Sequence, residues 1–318
     1  MHRFARFEIY TCCMTSASSM DSVSAMNVPN PALPDSIPPS ILARADAFVT
    51  KTAFLAGLLA PETAACVSSL LMDSDADYSK IIDGHHIESV VLKDALNLAN
   101  KQSTLGASTE LRRRILVALA HHYHLLQNHP ISDGNAAVAR IIVQMHFAQI
   151  GLHPHLWSLS RGIARRREEY HAALDMTGGT QECQLAGGAQ QSDKTLLGFI
   201  EFMLDVCHEE VDYMTAALNR RKLRESVTNA FNTNSRLTEA GIRAKIAPAF
   251  LALLIQGALP RSEFNTFTGL QSEAASNQVG RLINIGLVVS PPSDLLTLEV
   301  ALPDWFVREL LPDLHKSW

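Results

Sequence analysis

The sequence predicts a mainly α-helical chain whose last segment adds a little β-structure. Three observations carry this. Apolar residues recur at helical spacing from residue 40 to about 230. No alternation of period two survives in that stretch. Two short β-branched runs occur only near the end, after three further helical stretches.

The elements follow in order. Residues 1–38 read as a disordered tail, rich in Ser, Met, Asn and Pro between Thr15 and Pro39, or as a mistaken early start. A first helix is expected from Ser40 to Leu59. Pro61 opens a second, since its missing N–H is harmless in a first turn. Val67, Leu70 and Leu71 lie on its inner face, and Gly84 stops it. A helix over Ile87–Lys101 and a polar turn over Gln102–Ser108 follow. Thr109 caps a helix reaching Gln127. After the loop His129–Asn135, an apolar helix covers Ala136–Ile150 and ends at Gly151. One helix is expected over Ser158–Leu174, a flexible connection over Thr177–Ser192, and a long amphipathic helix over Ser192–Leu218.

The final segment has a different rhythm. Ala247–Leu254 forms a helix, Pro260 starts a short one, Gly269 turns the chain, and Gln271–Ile285 forms a third. Strands Gly286–Ser290 and Leu296–Val300 flank Pro291-Pro292. This is a helix-turn-helix with a hairpin wing.

The bulk numbers narrow the classes. In 318 residues, 47% are hydrophobic and 19% charged, enough for a sizeable core. The formal net charge of −5 gives no global pull toward nucleic acid, so any DNA contact needs a local basic patch. The five cysteines fit neither a zinc site nor a disulfide framework. No apolar run reaches the ~18 residues of a membrane span, so the cytoplasm is the expected location.

One loop has the composition of a phosphate site. In His129-Pro130-Ile131-Ser132-Asp133-Gly134-Asn135 the glycine lets successive N–H groups converge on an anion, and the following helix N-terminus adds partial positive charge. Asp133 offers an oxygen ligand for Mg²⁺. His129 is positioned in sequence to accept a hydroxyl proton. Arg140, about one turn into the helix, offers a planar fork to a terminal phosphate. Asp-Gly-Asn is also ordinary turn chemistry.

The segment resembles the core motif of the Fic (Fido) family, H-P-F-x-D/E-G-N-G-R-x-x-R, at His129, Pro130, Asp133, Gly134, Asn135 and Arg140. Ala120–Leu126 is similar to the A-H-H-R-L-L helix of one bacterial branch, and Leu156–Arg165 to its W-S-x-x-R-G-L-A-R signature. Phe199, Phe202, Cys207, Val211 and Met214 follow its next helix, and a winged-helix tail is usual there. The resemblance covers residues 40 to 318. It implies a Fic-type helical domain followed by a winged helix-turn-helix domain, with an N-terminal helical segment over 39–104, the Fic core over 105–230 and the winged helix over 231–318. It further implies transfer of AMP from ATP to a Tyr, Ser or Thr hydroxyl of a protein substrate. His129 would be the base, Asp133 the Mg²⁺ ligand, Gly134 and Asn135 the phosphate-binding amides, and Arg140 the γ-phosphate contact.

Tyr78-Ser79-Lys80-Ile81-Ile82-Asp83-Gly84-His85 resembles the family's inhibitory Y-S-N-L-I-E-G-H. There the acid pairs with the last motif arginine and displaces the γ-phosphate. The resemblance implies that Asp83 meets Arg140, and Ser79 and Asp83, four apart, share a helix face. Its side chain is one methylene shorter than Glu, which predicts a looser clamp. A rival reading takes Ile82–His86 as a relic of the family's substrate-docking flap.

The sequence also departs from the pattern. Ala136 and Ala137 stand where the family has Gly and its first Arg, and Ile131 replaces Phe. Loss of one preorganised phosphate donor implies a rate lower by ~10²–10³. No hairpin flap fits between Lys101 and Glu110. The competing expectation is therefore a degenerate Fic protein acting as a DNA-binding or scaffolding regulator. The helix over Gln271–Ile285 brings Gln271, Asn277, Gln278 and Arg281 toward DNA, but also Glu273, and no lysine. A homodimer is a further candidate assembly. Without a carboxylate or cysteine to complete a set, His121, His122, His124 and His129 read as scaffold histidines. Arg112–Arg114 and Arg165–Arg167 read as solvated faces, with Arg161 and Arg165 as candidates to flank a nucleotide.

Overall fold

The computed structural model describes residues 33–84, 110–128, 135–175, 188–292 and 294–315. Helix dominates them, and no strand occurs before residue 258 among them. The expected helix over Ile87–Lys101, the cap at Thr109 and the loop His129–Gly134 lie outside the described residues.

The chain divides into two compact units. One comprises Met1–Val49, Ala76–Pro154 and Leu159–Cys207. The other comprises Thr50–Asp75, His155–Ser158 and His208–Trp318.

Helix α1 spans Pro39–Ala56 and α2 spans Pro61–Asp83. Pro61 occupies the first helical position, and α2 ends where Gly84 turns to φ +79. Helix α3 spans Leu111–Asn128 and α4 spans Asn135–Gln149. Gly151 closes α4 at φ +78. In the first unit α3 and α4 pack on each other, burying Ile115, Leu119 and Ala120 from α3 and Val138, Ile142 and Val143 from α4. The single helix expected over Ser158–Leu174 is two, α5 (Leu159–Arg165) and α6 (Arg167–Asp175), separated at Arg166. Burial explains the break: α5 is buried over six residues from Leu159 to Ala164, whereas α6 is amphipathic. Helix α7 spans Gly188–Ala217, so its first turn includes residues expected in the flexible connection.

The second unit continues with α8 (Arg220–Thr233), α9 (Ser235–Glu239) and α10 (Ala247–Gln256). Strand β1 (Ala258–Pro260) leads into α11 (Arg261–Thr268) and α12 (Ser272–Asn284). Strands β2 (Val288–Val289) and β3 (Thr297–Val300) follow, then α13 (Asp304–Leu310). The antiparallel sheet has the order β1-β3-β2, with Leu259 opposite Leu298 and Val288 opposite Val300. The sequence reading missed β1, a three-residue strand ending in Pro260. Gly269 makes the turn between α11 and α12 at φ +63, a left-handed position suited to glycine. Phe231, Phe250 and Phe306 meet at centroid distances of 5.3–6.2 Å and anchor α8, α10 and α13 together.

Candidate functional site

Arg140 is the best-defined feature of the candidate site. It lies on α4 and is 1% exposed. Its Nη1 donates to Asp83 Oδ1 at 3.1 Å, and its Nη2 to Asp83 Oδ2 at 2.5 Å and to Ser79 Oγ at 3.0 Å. The fork therefore grips one carboxylate with both nitrogens and adds a hydroxyl from the same helix face. The looser clamp expected of the shorter Asp is not found, because Asp83 reaches both nitrogens.

The position of Asp83 is electrostatically costly without that arginine. It is the last residue of α2, beside carbonyls that lack helical partners and the negative end of the helix dipole. Arg140 supplies the opposing charge. Arg167 Nε donates to the carbonyl of Ile82 at 3.2 Å and satisfies one of those carbonyls.

A neutral aromatic layer lies beneath the pair. His122 Nε2 is 3.0 Å from the Tyr170 hydroxyl, and the His122 ring stacks on Phe199 at 5.7 Å. Burial drives His122 down to about 3, with the Arg140 charge adding to the effect. Burial pushes the Tyr170 phenol up to about 12. Both groups are thus neutral near pH 7. His121 stacks on His146 at 5.3 Å, and burial lowers each to about 4. His124 is lowered by burial as well. Among the described residues no group of three His, Cys, Asp or Glu side chains is placed to hold a metal ion.

The remaining expected site residues divide clearly. His129, Asp133 and Gly134 lie outside the described residues, and Asn135 begins α4. Ala137 is 1% exposed, so the position that carries the family's first arginine points into packed interior here. Arg161 is buried and Arg165 is exposed. In α12, Gln278 is buried: its Nε2 donates to the Gly241 carbonyl at 3.1 Å, and its Oε1 accepts from the Arg243 amide at 2.9 Å. Arg281 Nη1 donates to the carbonyls of Gly241 at 2.6 Å and Ala240 at 3.3 Å. Arg281 Nε also donates to Asn277 Oδ1 at 3.1 Å, so three of the four side chains expected to face DNA are engaged within the second unit. Sequence reasoning did not single out Tyr170 and Arg167 for the Arg140 surroundings. Their one signal was a place just after Leu156–Arg165, the stretch resembling the branch signature.

Neither protein-family models nor curated proteins give a match to this chain.

Proposed function

We propose that this chain is a Fic-type protein adenylyltransferase held in check by α2. The observation that carries the reading is the grip of Arg140 on Ser79 and Asp83, which lie 61 and 57 residues away in sequence. These are the residues that the inhibitory-motif resemblance pairs with the last motif arginine. The reading assigns His129 as the base that takes the proton of a target Tyr, Ser or Thr hydroxyl. The hydroxyl oxygen then attacks the α-phosphorus of ATP, and pyrophosphate leaves. Mg²⁺ at Asp133 would neutralise phosphate charge, while the amides of Gly134 and Asn135 cradle the chain of phosphates. Arg140 receives the γ-phosphate only after it releases Asp83, since one planar fork cannot serve both anions. The helix-turn-helix of α11 and α12 and the β2–β3 hairpin support a winged-helix reading of the C-terminal segment.

A specific observation favours a second reading. Buried Ala137 removes a cationic phosphate contact, which suits a degenerate Fic protein that acts as a scaffold. Incubation with α-labelled ATP and Mg²⁺ separates the two. The enzyme reading expects Asp83→Gly to label itself or lysate proteins more strongly than the wild type, and His129→Ala to abolish labelling. It fails if neither wild type nor Asp83→Gly transfers label above the His129→Ala background.

A further inference from the structure

Helix α8 carries a concentration of charge that the adenylyltransferase reading does not use. Its first five residues, Arg220 to Arg224, include Arg220, Arg221, Lys222 and Arg224. All four are exposed. Arg221, 89% exposed, pairs with Glu225 Oε1 at 3.2 Å. Among the described residues no ion pair engages Arg220, Lys222 or Arg224. The contrast with Arg112 is informative, because that side chain is paired with both Glu110 and Asp46.

The helix is built to hold this face outward. Asn219 caps it by accepting from the Arg221 amide at 2.9 Å. Leu223, Val227, Ala230 and Phe231 are buried in the second unit. The exposed residues of α8 are the four cations, then Glu225, Thr228, Asn229, Asn232 and Thr233. Glu225 is the only acid on α8. Between Asn219 and Lys245 the sequence holds seven cations and two carboxylates, in a chain whose net charge is −5. Arg243 and Lys245 are exposed beside the 3₁₀ turn Ala244–Ile246, which packs against α8.

We propose that the outer face of α8 binds the phosphate backbone of double-stranded nucleic acid, without reading its sequence. Clustered Arg and Lys followed by Asn and Thr are the side chains that contact phosphates and sugars. A fourteen-residue helix is about 21 Å long and spans several phosphates of a duplex. An anionic membrane is the poorer fit, because every large apolar residue of α8 faces inward and none is left to enter a bilayer. The face also differs from α12, whose Arg281 is tied to backbone carbonyls.

The test is fluorescence anisotropy of the full chain with a labelled mixed-sequence DNA duplex, titrated with salt. With about three phosphates neutralised, log affinity should fall with log salt at a slope of about −3. Replacing Arg220, Arg221, Lys222 and Arg224 by Gln should weaken binding by roughly thirtyfold or more at low salt and flatten that slope. Replacing Arg112, Arg113 and Arg114 by Gln controls for net charge and should change affinity by less than about threefold. Far-UV circular dichroism checks that both variants keep their helices. Absence of salt-sensitive binding by the wild type overturns the proposal. So does an unchanged affinity in the α8 variant, an equal loss in the control variant, or tighter binding to phosphatidylserine vesicles than to the duplex.

Discussion

Removing Asp83 should expose how strongly the Arg140 pair ties α2 to α4. Asp83→Ala leaves a guanidinium that is 1% exposed with Ser79 as its one remaining hydrogen-bond partner from α2. Breaking one side of a buried ion pair typically costs about 3–5 kcal/mol, because the remaining charge stays desolvated. Against a whole-domain stability of about 5–15 kcal/mol, that is a large fraction. Part of the loss is offset here, since Asp83 no longer opposes the dipole at the end of α2, a term of about 0.3–1 kcal/mol. The net expectation is therefore about 2–5 kcal/mol. Urea unfolding followed by far-UV circular dichroism measures it, with hydrogen exchange in the last turn of α2 as the local readout. The double variant Asp83→Ala with Arg140→Met removes both charges and should recover most of the loss. A single-variant cost below about 1 kcal/mol would match an exposed pair and refute the buried clamp. On the adenylyltransferase reading, ATP should then stabilise the single variant more than the wild type, because that reading frees Arg140 to receive phosphate.

Three further outcomes follow from the packing of buried groups. Folded-state burial lowers His121 and His146 to about 4 and His122 to about 3, from an ordinary 6.5. Their stabilising contribution is thus complete above that ordinary value and is lost as pH falls toward the lowered ones. At about pH 5.5 each should cost on the order of 1 kcal/mol, a few kcal/mol together, and urea midpoints at that pH and near neutrality check it. A midpoint that does not move refutes the burial of these rings. Arg281→Ala should destabilise the second unit by about 1–3 kcal/mol, because the Ala240 carbonyl loses its side-chain donor and the Gly241 carbonyl keeps only Gln278, whereas a solvent-facing DNA contact would cost almost nothing; thermal unfolding decides. Gly241→Ala should be worse tolerated than Gly84→Ala. Both glycines have positive φ, but a Cβ at Gly241 overlaps the Arg281 guanidinium while one at Gly84 meets open space.

The ends of helices were the most legible part of this sequence. Gly84, Gly151 and Gly269 were expected to stop or turn the chain, and each takes a positive φ there. The meeting of Asp83 with Arg140 was implied by the resemblance of Tyr78–His85 to the inhibitory motif, and four-residue spacing added only that Ser79 shares its face of α2. The break at Arg166 was not readable. It has no Gly or Pro, and it reflects the change from the enclosed α5 to the half-exposed α6. Strand β1 was hidden for a related reason: Ala258–Pro260 becomes a strand only by pairing with β3, some forty residues later. The inward turn of Gln278 and Arg281 is likewise a tertiary choice. On a helical wheel both are polar residues, and nothing local shows that the Ala240 and Gly241 carbonyls need donors.

The shorter acid at position 83 shows how such a local reading can mislead. One methylene fewer predicts a weaker clamp when the backbone is held fixed. In the structure Asp83 stands at the last position of α2, where the chain turns away at Gly84 and the carboxylate projects from the helix end. Both oxygens reach Arg140 from there, and Ser79 occupies the remaining donor of Nη2. A longer Glu at this position would have to fold back to make the same two contacts. Asp83→Glu is therefore expected to lower stability by about 0.5–1.5 kcal/mol, the cost of an off-rotamer side chain. A gain in the urea midpoint would show that the longer acid fits better and would restore the simple reading from side-chain length.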